Sequence, residues 1–132
     1  MLLRDLYQTM PFDNDVITMR LSGAQLRQLI ADNIVDNMSF IQVSGLEITF
    51  TPGADRKADN IVLTRGGKPI KPDQEFTVAT NDYLAYGGNG GDVFQAGKDI
   101  VDTMIPVRSL MQQAFARGKV KAPRTGRIKR TK

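Results

Sequence analysis

Asn81-Asp82-Tyr83-Leu84-Ala85-Tyr86-Gly87-Gly88-Asn89-Gly90-Gly91-Asp92-Val93-Phe94 is the stretch on which the reading of this chain turns. It follows directly on Phe76-Thr77-Val78-Ala79-Thr80, whose aromatic and β-branched residues predict a strand. A strand that ends in two tyrosines and four glycines describes a loop shaped around a ligand. Glycine permits positive φ and close backbone approach, and tyrosine offers a flat apolar face with a polar edge.

Upstream, Leu2, Leu3, Leu6, Tyr7 and Met10 are spaced for one face of a short helix that must stop by Pro11. Asp13-Asn14 makes a turn. Val16, Thr18 and Arg20 alternate with Ile17, Met19 and Leu21 as in a strand, and Ser22 caps a helix with the stripe Leu26, Leu29, Ile30 and Ile34. A second strand is expected from Ile41 to Phe50, with a bulge or close backbone approach at Gly45. Residues 51–59 read as a surface turn, Ile61 to Thr64 as a strand, and Arg65-Gly66-Gly67-Lys68 as a hairpin turn. Ile105 to Ala116 predicts a helix with Pro106 in its first turn and Leu110, Met111, Ala114 and Phe115 on one side. Helices mixed with hairpin-linked strands, without regular βαβ repetition, give the α+β class.

Length and charge narrow the function. A chain of 132 residues with 41% hydrophobic content builds one compact domain with a real core. No apolar run reaches the length of a membrane span. The net charge of +4 is uneven: eight basic residues and no acid lie between Arg117 and Lys132, leaving ten basic against fourteen acidic residues elsewhere, a net −4. Pro123, Thr125 and Gly126 interrupt the basic run and no aromatic interleaves with it, so it offers no stacking platform for a nucleic acid strand. It reads as a solvated tail over 122–132, following a domain over 1–121.

Chemistry in this chain alone is narrowly bounded. Without histidine or cysteine there is no Ser-His-Asp or thiolate catalysis and no thiolate metal site. Asp13, Asp15, Asp32, Asp36, Asp55 and Asp59 are scattered over turns and exposed helix positions, where solvated surface is the expected role. No catalytic residue and no metal ligand is assigned.

Several segments together resemble the C-terminal, substrate-recognition domain of the 5'-nucleotidase, UDP-sugar hydrolase and 2',3'-cyclic phosphodiesterase family. They are Met10-Pro11-Phe12-Asp13-Asn14, Leu21-Ser22-Gly23, Ser39-Phe40-Ile41-Gln42-Val43-Ser44-Gly45-Leu46, the Tyr83 stretch and Thr125-Gly126-Arg127-Ile128. The resemblance implies a layered α/β/β/α domain with mixed sheets. It implies that Phe40 and Tyr83 form the two walls of a base clamp, Tyr86 being a weaker aromatic candidate, with Gly87 and Gly88 on the rim. Without it, Phe40 reads as a core residue beside a strand and Tyr83 as an ordinary strand-end tyrosine.

The family's Gly-Gly-Asp-Gly stands here as Gly87-Gly88-Asn89-Gly90. Asn89 keeps the spacing of the ribose-binding Asp but loses its charge, and Asp92 is the alternative if the loop carries an insertion. The spacing favours Asn89. Asn14 and Gly23 match family positions in structural roles.

In the family, a divalent metal pair and the catalytic His-Asp pair belong to an N-terminal metallophosphatase domain. An arginine-bearing strand for the phosphate lies just before the point where this chain starts. The resemblance therefore implies a piece of a longer, N-terminally extended protein: inactive alone, with no cofactor of its own, binding a nucleotide or nucleoside, partnered by that domain, and periplasmic, cell-surface or secreted. Nucleic acid is not an expected partner. A non-catalytic nucleoside- or polyanion-binding module is the alternative.

Overall fold

The computed structural model describes residues 2–35, 38–39, 41–88 and 91–132, with 38 and 39 as backbone only. The elements are α1 (Leu3–Thr9), β1 (Asp15–Ser22), α2 (Gly23–Asn33), β2 (Ile34–Val35), β3 (Met38–Ser39), β4 (Glu47–Pro52), β5 (Ala58–Arg65), β6 (Lys68–Pro69), β7 (Glu75–Asn81), α3 (Asp82–Ala85), β8 (Lys98–Pro106), α4 (Val107–Ala116) and β9 (Ile128–Arg130). Short 3₁₀ turns span Ala54–Arg56 and Asp92–Ala96. The class is α+β with a mixed sheet, as expected. The chain divides into two compact units, residues 1–20 with 77–123 and residues 21–76 with 124–132.

In the first unit the sheet order is β7-β1-β8, with β1 central. Its alternation is realised: Ile17 and Met19 are buried with Leu6, Ala85 and Phe94. β8 runs antiparallel to β1, pairing Asp15 with Pro106, Ile17 with Asp102, Thr18 with Val101 and Arg20 with Lys98, and the register slips twice. Asp99 and Met104 adopt left-handed φ of 50° and 54°. Side chains take over where the ladder is interrupted: Thr103 Oγ1 donates to the Val16 carbonyl at 2.7 Å, and the Met104 amide donates to Asp102 Oδ1 at 2.8 Å.

This strand corrects the expectation of a helix from Ile105. Pro106 is extended (φ −61°, ψ 134°) and stands before α4, which starts at Val107. A residue preceding proline is pushed out of the helical region, so Ile105 stays extended in a strand that runs to Pro106. The apolar faces expected of the two longer helices of this unit are also only partly buried. In α1 only Leu6 is buried, while Leu2, Leu3 and Tyr7 are exposed, and no residue of α4 is buried. Arg108 joins α4 to the residues after α1. Its Nε donates to the Met10 carbonyl at 2.9 Å, its Nη1 meets Asp13 at 2.7 Å, and its guanidinium lies 4.1 Å from the Tyr7 ring centroid.

In the second unit Ser22 caps α2 as predicted. Its hydroxyl accepts from the Gln25 amide at 3.1 Å and Gln25 Oε1 accepts from the Ser22 amide at 2.9 Å, a reciprocal capping box. Leu26, Leu29, Ile30 and Ile34 are buried with Ile48, Phe50, Ile61, Leu63 and Phe76. Gly23 lies so close to the Lys71 carbonyl that a side chain there would overlap it, which fits its structural role. The sheet order is β6-β5-β4-β9. The β5–β6 turn is the expected hairpin, with Gly66 at φ 58° and Gly67 at φ 76°, the left-handed pair that a two-residue hairpin loop demands.

Two expectations change here. The strand predicted from Ile41 begins only at Glu47, because Gly45 turns left-handed (φ 82°) and the Val43 carbonyl accepts from Arg127 Nη1 at 3.2 Å instead of pairing in a ladder. The division into a domain over 1–121 and a solvated tail over 122–132 also fails near the end. Ile128, Lys129 and Arg130 pair parallel with Ile48, Thr49 and Phe50, and the Thr131 amide donates to the Phe50 carbonyl at 2.8 Å. The open edge of β4 offers unpaired backbone groups, and the last residues of the chain satisfy them. Among the described residues no helix is long and apolar enough to cross a membrane.

Candidate functional site

β7 feeds directly into α3. Asn81 caps that single turn, its Oδ1 accepting from the Leu84 amide at 2.9 Å. Asp82 Oδ1 accepts from the Tyr83 amide at 2.7 Å and from Asn14 Nδ2 at 2.6 Å, which ties the loop to the residue preceding β1. The Asn14 amide is the leading cause holding the Asp82 carboxyl below the ordinary aspartate range. The Asp15 and Tyr83 amides act in the same direction and partial burial opposes them. Asp82 is therefore an anion at neutral pH.

The chain then coils back on itself. The Tyr86 amide donates to the Asp82 carbonyl at 3.0 Å, the Gly88 amide to the Tyr83 carbonyl at 2.8 Å, and the Gly91 amide to the Gly88 carbonyl at 2.7 Å. Glycine is needed for this coiling. A Cβ on Gly88 would lie 2.6 Å from Tyr83 Cε1, and one on Gly91 would overlap the Leu84 carbonyl. The Tyr83 ring consequently rests against backbone and turns outward.

Asn14, Asp82, Tyr83, Tyr86, Gly87 and Gly88 line an open cleft of about 600 Å³. Tyr83 is 53% exposed and Tyr86 64%. Among the described residues, two accessible aromatic rings, one carboxylate, one amide and no cation on the lining suit a planar, hydroxyl-bearing, uncharged group better than a phosphate.

Of the residues singled out in the sequence, Tyr83, Gly87 and Gly88 come together in this cleft. Asp92 starts the 3₁₀ turn Asp92–Ala96, is exposed, and is not on the lining. Phe40 and Asn89 lie outside the described residues. Sequence reasoning gave Asn14 only a turn role and Asp82 none. A separation of 68 positions hides the pairing, and the Asx signal at a strand-to-helix junction was the available cue.

The family described as 5'-nucleotidase, C-terminal domain matches residues 2–98 of this chain. A cell wall protein of Listeria monocytogenes, Lmo0130, is 30% identical over 125 residues, covering 89% of this chain and 16% of that protein. The trifunctional nucleotide phosphoesterase protein YfkN of Bacillus subtilis is 34% identical over 101 residues, covering 70% of this chain and 7% of that protein. This chain thus spans under a fifth of the length of either relative. Among solved structures, the 5'-nucleotidase precursor of Thermus thermophilus superposes with a TM-score of 0.81 at 24% identity, over 98% of this chain and 28% of that one. With most of its length matched by the family and its fold shared with that structure, the chain belongs to the 5'-nucleotidase C-terminal domain family.

Proposed function

We propose that this domain recognises the nucleoside part of a nucleotide on behalf of a metal-dependent 5'-nucleotidase-type phosphoester hydrolase. The observation that carries this is the pair of exposed tyrosine rings on a glycine-coiled loop, next to a fixed carboxylate. A base laid on Tyr83 exchanges water for dispersion, on the order of 1–3 kcal/mol for a stacking partner. Stacking requires no particular base edge, so tolerance among bases follows. Gly87 and Gly88 supply the rim. Family membership and the nucleotide phosphoesterase name of the Bacillus relative support this reading.

Hydrolysis is assigned to a metallophosphatase domain elsewhere in the polypeptide. Among the described residues no group of three or more His, Cys, Asp and Glu could hold a metal, and the chain contains neither His nor Cys, so no step is routed through a metal here. A location outside the cell is part of the proposal, supported by the cell wall relative and by the precursor form of the Thermus protein.

Titrating the 132-residue chain with adenosine and AMP, followed by tyrosine fluorescence and amide shifts, tests the reading. Saturable changes over residues 81–88 are expected, with Tyr83→Ala weakening affinity about tenfold or more. No saturable change, or unaltered affinity in Tyr83→Ala, refutes it. With Mn²⁺, Co²⁺ or Zn²⁺ added, the chain is expected to leave AMP, UDP-glucose and 2',3'-cyclic AMP intact by phosphate release.

A further inference from the structure

The fold of the second unit gathers positive charge at one end of its four-stranded sheet. β5 runs antiparallel to β4 and β9 runs parallel to it, with Glu47 opposite Thr64 and Ile48 opposite Ile128. The end of β5, the start of β4 and the approach to β9 therefore share one end. Arg65 follows the last of these β5 partners and Arg127 precedes the first of the β9 partners. With Arg124 and Lys129 they line a cleft of about 270 Å³ on which, among the described residues, Glu47 is the only carboxylate.

The arrangement is held from several sides. The Arg127 carbonyl accepts from the Ile48 amide at 2.7 Å while its Nη1 donates to the Val43 carbonyl at 3.2 Å, so the residue is fixed by both backbone and side chain. The Arg65 guanidinium lies 5.9 Å from the Phe76 ring centroid. Among the described residues none of the four cations forms an ion pair with a carboxylate. Four like charges facing one carboxylate repel one another in the folded chain, and a bound anion relieves that repulsion.

We propose that this cleft binds a phosphate group. Arginine forks match carboxylate and phosphate alike, but a single carboxylate has only two oxygens and is satisfied by one fork. A phosphate or pyrophosphate offers three or more oxygens and at least two negative charges, enough to engage Arg65, Arg124, Arg127 and Lys129 together, with Thr125 on the same lining. None of these residues lines the tyrosine cleft. The basic C-terminal stretch thereby acquires a defined place of action instead of a diffuse one.

The 132-residue chain titrated with inorganic pyrophosphate at low ionic strength, by calorimetry with amide-shift mapping, tests the site. Saturable binding with shifts at Arg65, Arg127 and Lys129 is expected. The double variant Arg124→Gln/Lys129→Gln should weaken it about tenfold, without lowering the thermal unfolding temperature of the domain, because both side chains are exposed and their removal relieves repulsion. Tyr83→Ala should leave pyrophosphate affinity unchanged. Tighter binding of a polyphosphate chain than of pyrophosphate would identify a phosphate polymer as the source, and equal affinity a free phosphate group. Absence of saturable binding, shifts confined to residues 81–88, or undiminished affinity in the double variant would overturn the proposal.

Discussion

The tyrosine cleft and the cationic cleft are built on opposite principles. At the first, backbone hydrogen bonds and closely packed glycines hold apolar rings out in solvent, and the charge on the lining is negative. At the second, a sheet end collects guanidinium and ammonium groups from segments distant in sequence, and the lining is strongly positive. Shape and dispersion govern the one, and long-range charge governs the other. The two clefts therefore present two chemistries, each open to separate test.

The largest effect is expected from breaking the sheet beneath the cationic cleft. Ile48 is fully buried and paired with both β5 and β9, so Ile48→Ala should cost about 2–5 kcal/mol in urea unfolding. Pyrophosphate binding should fall with it, and retention of both stability and binding would show that β9 pairing does not shape the site. Next, Tyr83→Ala should remove about 1–3 kcal/mol of adenosine affinity. Ionic strength then separates the two clefts without mutation. Added monovalent salt should weaken pyrophosphate binding severalfold, because exposed charges are screened within a few ångströms at high salt, yet leave adenosine binding nearly unchanged. Equal salt sensitivity of both ligands would erase the distinction.

The smallest effect concerns Asp82. Its folded pKa lies below the ordinary aspartate value of about 4, so its bond with Asn14 contributes stability that is fully present above that value and is lost as pH falls through the folded pKa. Solvent screening keeps the contribution small. Asp82→Asn should lower stability slightly at neutral pH, with the difference from the parent shrinking below about pH 4 as the carboxylate protonates. A variant whose curve overlays the parent at every pH would show that the Asn14 contact holds no charge-dependent stability.

The same contrast between regular and irregular construction explains how much was legible beforehand. β1, α2 and the Arg65–Lys68 hairpin were readable because burial on one side of a regular element imposes a period on the residues: Ile17, Met19 and Leu21 at every second position, Leu26, Leu29 and Ile30 on one helical stripe. β8 was missed since it lacks that period. All but Thr103 of its nine residues are exposed, and two of them are left-handed. β9 was hidden for a different reason: Ile128-Lys129-Arg130 carries too few apolar residues to announce a strand, and only the free edge of β4 makes it one.

From the sequence alone came the α+β class, the family resemblance, the lack of His and Cys, and the grouping of Tyr83, Gly87 and Gly88 in one glycine-rich loop. These follow from composition, from periodicity and from motifs that are contiguous in the chain. Tertiary structure alone decided that Asn14 holds Asp82, that Asp92 stands off the cleft lining, that the terminal basic run closes a sheet edge, and that Arg65 converges with Arg124, Arg127 and Lys129. Each of these joins residues that chain order keeps far apart. Their meeting depends on strand order and register, which are set by the summed burial of many side chains and by the pairing demands of the backbone rather than by any local signal.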